Sequence, residues 1–168
     1  MKNILAYTGI LLIVIILQVS LFSRLPAAEY GPDLILVLIF SAGFLEGSKR
    51  GSLIGFFAGM LQDVLLGGAF GIYTVSRIIV GAFAGQVKDN IYPEKLPLIG
   101  AIIFGFTLGH EILIFLLSEE VIFRLNPFDA LRQNFLPTAV YTMFVGTILY
   151  TAIYYLLAGE GVDYEEED

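Results

Sequence analysis

The sequence predicts an all-α polytopic membrane protein, a bundle of about six transmembrane helices joined by short loops. Three observations predict it. Apolar residues make up 57% of the chain and charged residues 15%, against about 45–50% and 25% in soluble domains. Six stretches approach the roughly 17–25 apolar residues that cross a bilayer. Most connections between them are only a few residues long. A soluble fold of about 150 residues hides only about 70% of its chain's surface, too little for this composition, so the bilayer is the expected solvent.

The first stretch, residues 4–22, is the clearest. It exceeds the roughly 7–15 apolar residues of a signal peptide, and Pro26-Ala27-Ala28 makes a poor cleavage site, so it reads as a retained helix. The second, residues 34–45, is apolar but short and needs Asp33 and Glu46 near its ends. The third, residues 51–66, is glycine-rich and holds Gln62 and Asp63. The fourth, residues 71–87, holds Arg77. The fifth, residues 97–117, holds His110 and Glu111, and residues 137–158 complete the set.

Ser48-Lys49-Arg50 is expected to join spans two and three, residues 67–70 spans three and four, and residues 88–96 spans four and five. In the longer connection, residues 118–136, Asn126 followed by Pro127 reads as an N-cap and a first-turn proline. Phe128, Leu131 and Phe135 then share a helical face, which predicts an interfacial helix lying on the membrane, with a plain loop as the alternative. Residues 1–158 are read as one transmembrane domain and residues 159–168 as an acidic cytoplasmic tail. Six of the 16 acids lie in residues 160–168, so most of the net charge of −7 belongs to that tail. No basic patch suggests a nucleic-acid partner. Lys2, Lys49, Arg50, Lys88 and Lys95 fall on one side and Arg24, Arg124 and Arg132 on the other, which predicts cytoplasmic termini by the positive-inside rule.

Gly43, Gly47, Gly51, Gly55 and Gly59 recur every fourth residue, and Asp63, Gly67 and Gly71 continue the spacing. Residues four apart share a helix face, and small residues let helices approach closely in lipid, where hydrophobicity supplies no push between them. Gly81/Gly85 and Gly105/Gly109 offer similar faces. Packing within the chain is the plainer reading, and a groove for a partner's transmembrane helix is the other.

Ionisable groups at membrane depth are costly and usually find partners. With a rise of about 1.5 Å per residue, Asp63 lies roughly 18 Å into its span from the cytoplasmic side and Arg77 roughly 9 Å below the outer edge. Their levels predict an Asp63–Arg77 ion pair. Asp33 sits where a carboxylate can cap the second span. His110 lies at a similar level, and Glu111, about 100° around the helix, is expected to face a different partner. Asp33, Asp63, Arg77, His110 and Glu111 thus gather on the outer side, as a structural polar network, a partner-docking site, or a small-solute pocket or proton path. With no cysteine and one histidine, thiol catalysis and the ligand sets zinc prefers are excluded. No phosphate-loop, nucleophile-elbow or metalloprotease motif occurs. No enzyme and no cofactor are expected.

Pro32-Asp33-Leu34 opening span two resembles the MreD family of rod shape-determining proteins. So does Gly55-Phe56-x-x-Gly59-x-x-x-Asp63-x-x-x-Gly67-x-x-x-Gly71. The likeness is strongest over residues 30–90 and extends in span pattern over the whole chain. It implies a non-enzymatic scaffold in the bacterial inner membrane that binds MreC. Through MreC it would reach MreB, RodA and a class B penicillin-binding transpeptidase, supporting lateral peptidoglycan synthesis and rod shape. The fold implied is similar to the substrate-binding subunits of energy-coupling-factor transporters. A small-solute-binding transporter subunit is therefore the alternative, although the Ala-x-x-x-Ala of that group's first span is missing. The positions of interest for packing or partner binding are Asp33, Gly51, Gly55, Gly59, Asp63, Gly67, Gly71, Arg77, His110 and Glu111. Gln62 stands where an apolar residue is common in the family, and the tail is acidic where some relatives end basic.

Overall fold

A computed structural model describes residues 31–66, 71–88, 95–117 and 126–158, with Gly9, Ile13, Val14, Gln18 and Ile91. The described residues are helical throughout apart from caps and turns: α1 (Leu34–Glu46), α2 (Ser48–Leu66), α3 (Ile72–Val87), α4 (Leu96–Leu117), α5 (Pro127–Ala130), a π-helical turn (Leu131–Phe135) and α6 (Leu136–Ala158). Among the described residues two helices are long and apolar enough to cross a membrane, Leu96–Leu117 and the continuous Pro127–Leu156, while α1 and α3 are apolar but shorter. The first expected span, residues 67–70 with Gly67, residues 118–125 and the acidic tail lie outside the described residues. Of that first span, Val14 is buried in the core beside Leu34 and Ile35.

α1 is the axis of the bundle. Every residue from Leu34 to Phe44 is buried. An α-helix apolar on all sides is stable only when sheathed, and α2, α3 and α6 supply the sheath. Protein on every side also explains how 13 residues suffice, since α1 need not meet lipid at either end. Phe40 stacks on Phe44 with ring centroids 5.5 Å apart, and buried Tyr150 of α6 closes against both rings.

The glycine ladder divides by position. Gly47 (φ 99°) and Gly71 (φ 104°) occupy the left-handed region that side chains disfavour. Gly47 is the whole turn between α1 and α2; Ser48-Lys49-Arg50, expected as a connection, form the first turn of α2 instead. The other rungs pack. A Cβ on Gly51 would lie 2.5 Å from the carbonyl oxygen of Gly81, and one on Gly59 would lie 2.5 Å from the Cα of Thr74. Gly55 meets the backbone of Arg77, and Gly85 meets that of Ser48. α2 and α3 thus run antiparallel with their backbones in contact at every turn. Gly43 of α1 sits in the same seam, against Gly81 and Ala84. At the Gly47 end, Ser48 Oγ donates to the Ala82 carbonyl (2.9 Å) and Lys88 Nζ to that of Leu45 (3.0 Å).

α4 packs mainly on α6, with Gly100 beside Thr147, and with Ile103 and Val37 beside Gly146. The helix expected after Asn126 starts as the sequence indicates: the Asn126 side chain accepts from Phe128 N (3.2 Å) and Pro127 opens the first turn. It is not a separate interfacial helix. It runs on through the π turn into α6, and Phe135 of its apolar face is buried against Phe115 of α4. Pro137 accounts for the π turn. A proline inside a helix lacks the N–H for a bond four residues back, and its ring collides with that carbonyl. The preceding turn widens, and Leu136 N donates to Leu131 O, five residues back.

Gly59→Ala forces backbone apart and is expected to cost about 1–3 kcal/mol, as overpacking does. Gly105→Ala, whose Cβ meets nothing within 4 Å, is expected to leave stability unchanged or raise it by up to about 1 kcal/mol through helix propensity. Thermal unfolding in detergent followed by circular dichroism checks both; equal losses would contradict the division of the ladder.

Candidate functional site

The polar side chains converge at the Asp33 end of the bundle. Arg77, on the inward face of α3, has no exposed surface. Its Nη2 donates to Asp33 Oδ2 (2.7 Å) and to Gln62 Oε1 (3.0 Å), and its Nε also donates to Gln62 (3.2 Å). Asp33 is shared further. Its Oδ1 accepts from Leu36 N (2.8 Å), the N-cap read from the sequence, and its own N–H donates to Thr142 Oγ1 of α6 (3.0 Å). One guanidinium therefore ties α1, α2 and α3 together, and through Asp33 it reaches α6.

The Asp63–Arg77 pair expected from depth does not form. Asp63, also buried, accepts from Tyr73 N (3.0 Å), Thr74 N (3.0 Å) and Thr74 Oγ1 (2.5 Å). The physical reason lies at the start of α3. Its N-cap is Gly71, which has no side chain to cap with, and the first-turn N–H groups need acceptors. Asp63 supplies them from α2, where the helix dipole also favours a carboxylate. Arg77, one turn further along, extends to Asp33 instead.

His110 of α4 is buried, with Nε2 3.4 Å from Ser76 Oγ and Nδ1 3.9 Å from Asp33 Oδ2. The expectation that Glu111 faces elsewhere is not met: ligand atoms of Asp33, His110 and Glu111 all lie within 4.8 Å of one another. That triad suits a cation poorly. Asp33 Oδ2 already holds a guanidinium, so an ion among the three would sit beside a positive charge.

Of the residues singled out in the sequence, Asp33, Arg77, His110 and Glu111 come together. Asp63 lies alongside with a different task, and Gly51, Gly55, Gly59 and Gly71 are backbone positions. Gln62, Thr74, Ser76 and Thr142 are members of the cluster that the sequence reading did not single out as site residues. Gln62 carried a signal, an amide in an apolar stretch; the hydroxyls carried none, since Ser and Thr occur freely in membrane helices.

A second feature lies beside the cluster. α3 and α4 diverge around an apolar groove of about 510 Å³, lined by Ile79, Phe83, Phe106 and Leu113, with Gly105 and Gly109 in its wall and His110 at its border. Unlike the rungs of α2, neither glycine has an atom within 4 Å of its Cβ position.

Compared with known families, residues 2–159 match the family described as rod shape-determining protein MreD. No curated protein and no solved structure matches.

Asp63→Ala strands three donors and is expected to destabilise by about 3 kcal/mol, at the upper end for bonds to a charged group. Asp63→Asn keeps one acceptor oxygen and is expected to cost less than half as much. Unfolding in mixed micelles, read by circular dichroism because the chain has no Trp, checks the order. Equal costs would contradict the cap.

Proposed function

Because this chain belongs to the MreD family of rod shape-determining proteins, matched along nearly its whole length, we propose that it is a non-enzymatic membrane scaffold. In this reading it binds MreC and so supports lateral peptidoglycan synthesis by RodA and a class B penicillin-binding transpeptidase, in register with MreB. The family match carries the proposal. The geometry supports it in two ways. Asp33, Gln62, Asp63 and Arg77 spend their bonds on one another and on backbone, which suits a rigid frame better than a reaction centre. The α3–α4 groove has Gly105 and Gly109 in its wall, neither with a neighbour within 4 Å among the described residues, and it is the face we assign to a partner's transmembrane helix. Gly51, Gly55 and Gly59 are occupied by α3 and are not that face.

The membrane arrangement is part of the same proposal: about six spans in the bacterial inner membrane, both termini cytoplasmic, in a fold similar to energy-coupling-factor binding subunits. Lys49, Arg50, Lys88 and Lys95 gather at the Gly47 end of the bundle and Arg132 at the Asp33 end, which supports a cytoplasmic Gly47 end. A vitamin-like solute is the weaker reading, since Asp33, Asp63, Gln62 and Arg77 are already bonded to each other and to α3.

Purification in mild detergent with mass spectrometry of what accompanies the protein tests the reading. Recovery of MreC is expected, with Gly105→Leu/Gly109→Leu reducing it several-fold at unchanged membrane yield. An accompanying ATPase pair or bound vitamin, without MreC, would overturn the scaffold.

A further inference from the structure

We propose that Asp33, Arg77, His110 and Glu111 bind one water molecule, and that this water ties α4 to the polar hub. The site stands on hydrogen-bond geometry within the chain and is independent of the scaffold reading above.

Two polar atoms at the hub are buried without a hydrogen-bond partner, Arg77 Nη1 and His110 Nδ1, a rare condition for buried groups. Their side chains are deep: Arg77 is 0% and His110 2% exposed. Both atoms stand beside the same oxygen. Arg77 Nη2 donates to Asp33 Oδ2 at 2.7 Å, and Nη1 lies on the same planar fork. His110 Nδ1 is 3.9 Å from that oxygen, beyond the about 2.7–3.2 Å of a direct bond.

The bonds around His110 decide what fits between these atoms. Ser76 Oγ donates to the Tyr73 carbonyl at 3.1 Å, which commits its only proton. The 3.4 Å contact between Ser76 Oγ and His110 Nε2 is then made by a ring N–H facing the hydroxyl oxygen. A neutral imidazole donates through one nitrogen and accepts through the other. Nδ1 is therefore an acceptor, and it faces a second acceptor in Asp33 Oδ2. Two acceptors do not bond each other, which accounts for the 3.9 Å between them. A water molecule meets every demand at once. Its two O–H groups donate to Nδ1 and to a carboxylate, and a lone pair accepts from Arg77 Nη1. Two arms of about 2.8 Å span up to about 5.6 Å, and ligand atoms of Asp33, His110 and Glu111 all lie within 4.8 Å of one another. Buried waters typically make about three hydrogen bonds to groups otherwise unsatisfied, the number available here. Charged occupants fit worse: a metal ion repels the guanidinium, and an anion repels the two carboxylates. Half-buried Glu111 marks the way in. Asp33 caps α1, Arg77 belongs to α3, and His110 and Glu111 belong to α4, so the water joins three helices.

Radiolytic footprinting of the full chain in mixed micelles, read by mass spectrometry, tests the site, because hydroxyl radicals made from a bound water oxidise the side chains around it. His110 is expected to be oxidised several-fold faster than Phe40, which is also buried but lies among apolar side chains. Glu111→Leu removes one acceptor and is expected to lower His110 oxidation several-fold, whereas Glu111→Gln keeps an acceptor and most of the signal. His110 oxidised no faster than Phe40, or a rate unmoved by Glu111→Leu, would overturn the water site. So would a rate that changes when a chelator is added, which would mark a metal ion instead. If Glu111→Leu loses its thermal transition and so fails to fold, the comparison of His110 with Phe40 in the parent decides. Failure of the co-purification above leaves these rates unaffected, so the two readings fail separately.

Discussion

A buried guanidinium organises this molecule. Arg77 has no exposed surface, and a charge at such depth is costly unless held by partners. Asp33 and Gln62 hold it from two other helices. Asp33 meets that demand while its second oxygen caps α1 and its N–H engages α6. The start of the central helix and its polar ties to α2, α3 and α6 therefore meet at one point. Removing either charge leaves the other buried and uncompensated, which is worse than losing a bond between neutral groups.

The glycines make that point reachable. Backbone contact between α2 and α3 at Gly51, Gly55 and Gly59 brings Gln62 within reach of Arg77 and Asp63 within reach of the first turn of α3. Larger residues there would separate the helices and strand both polar groups. Where glycine does not serve contact, it serves a turn, at Gly47 and Gly71, or leaves space, at Gly105 and Gly109. A fold held at one end by polar bonds and along one seam by bare backbone is stiff on the α1–α3 side. On the α3–α4 side an apolar groove lies between the helices.

Much of this was legible in the sequence. Apolar content and stretch length fixed an all-helical class. Asp33 before Leu34, and Asn126 before Pro127, marked helix starts that the structure keeps, because capping is a local property. The four-residue glycine spacing marked close packing because its period is that of the helix. The partner of Arg77 was not legible. Depth along each helix came from a rise per residue, but rotation about the axis and the reach of a long side chain decide the bond. Depth also did not show that Gly71 leaves the start of α3 needing a carboxylate, which claims Asp63. The interfacial helix failed for a related reason. The apolar face after Pro127 was read correctly, but the last span was begun at Pro137, whereas the helix runs on through a π turn into it.

The family places the chain in rod shape determination, and the polar hub is the interaction that joins its helices. A double-mutant cycle on Asp33→Ala and Arg77→Ala, with unfolding free energies in mixed micelles, tests it most directly. Each single variant is expected to cost about 3–5 kcal/mol, and the double clearly less than their sum, because the second removal relieves the charge stranded by the first. Additive costs would contradict the hub and place Arg77 and Asp33 in independent environments.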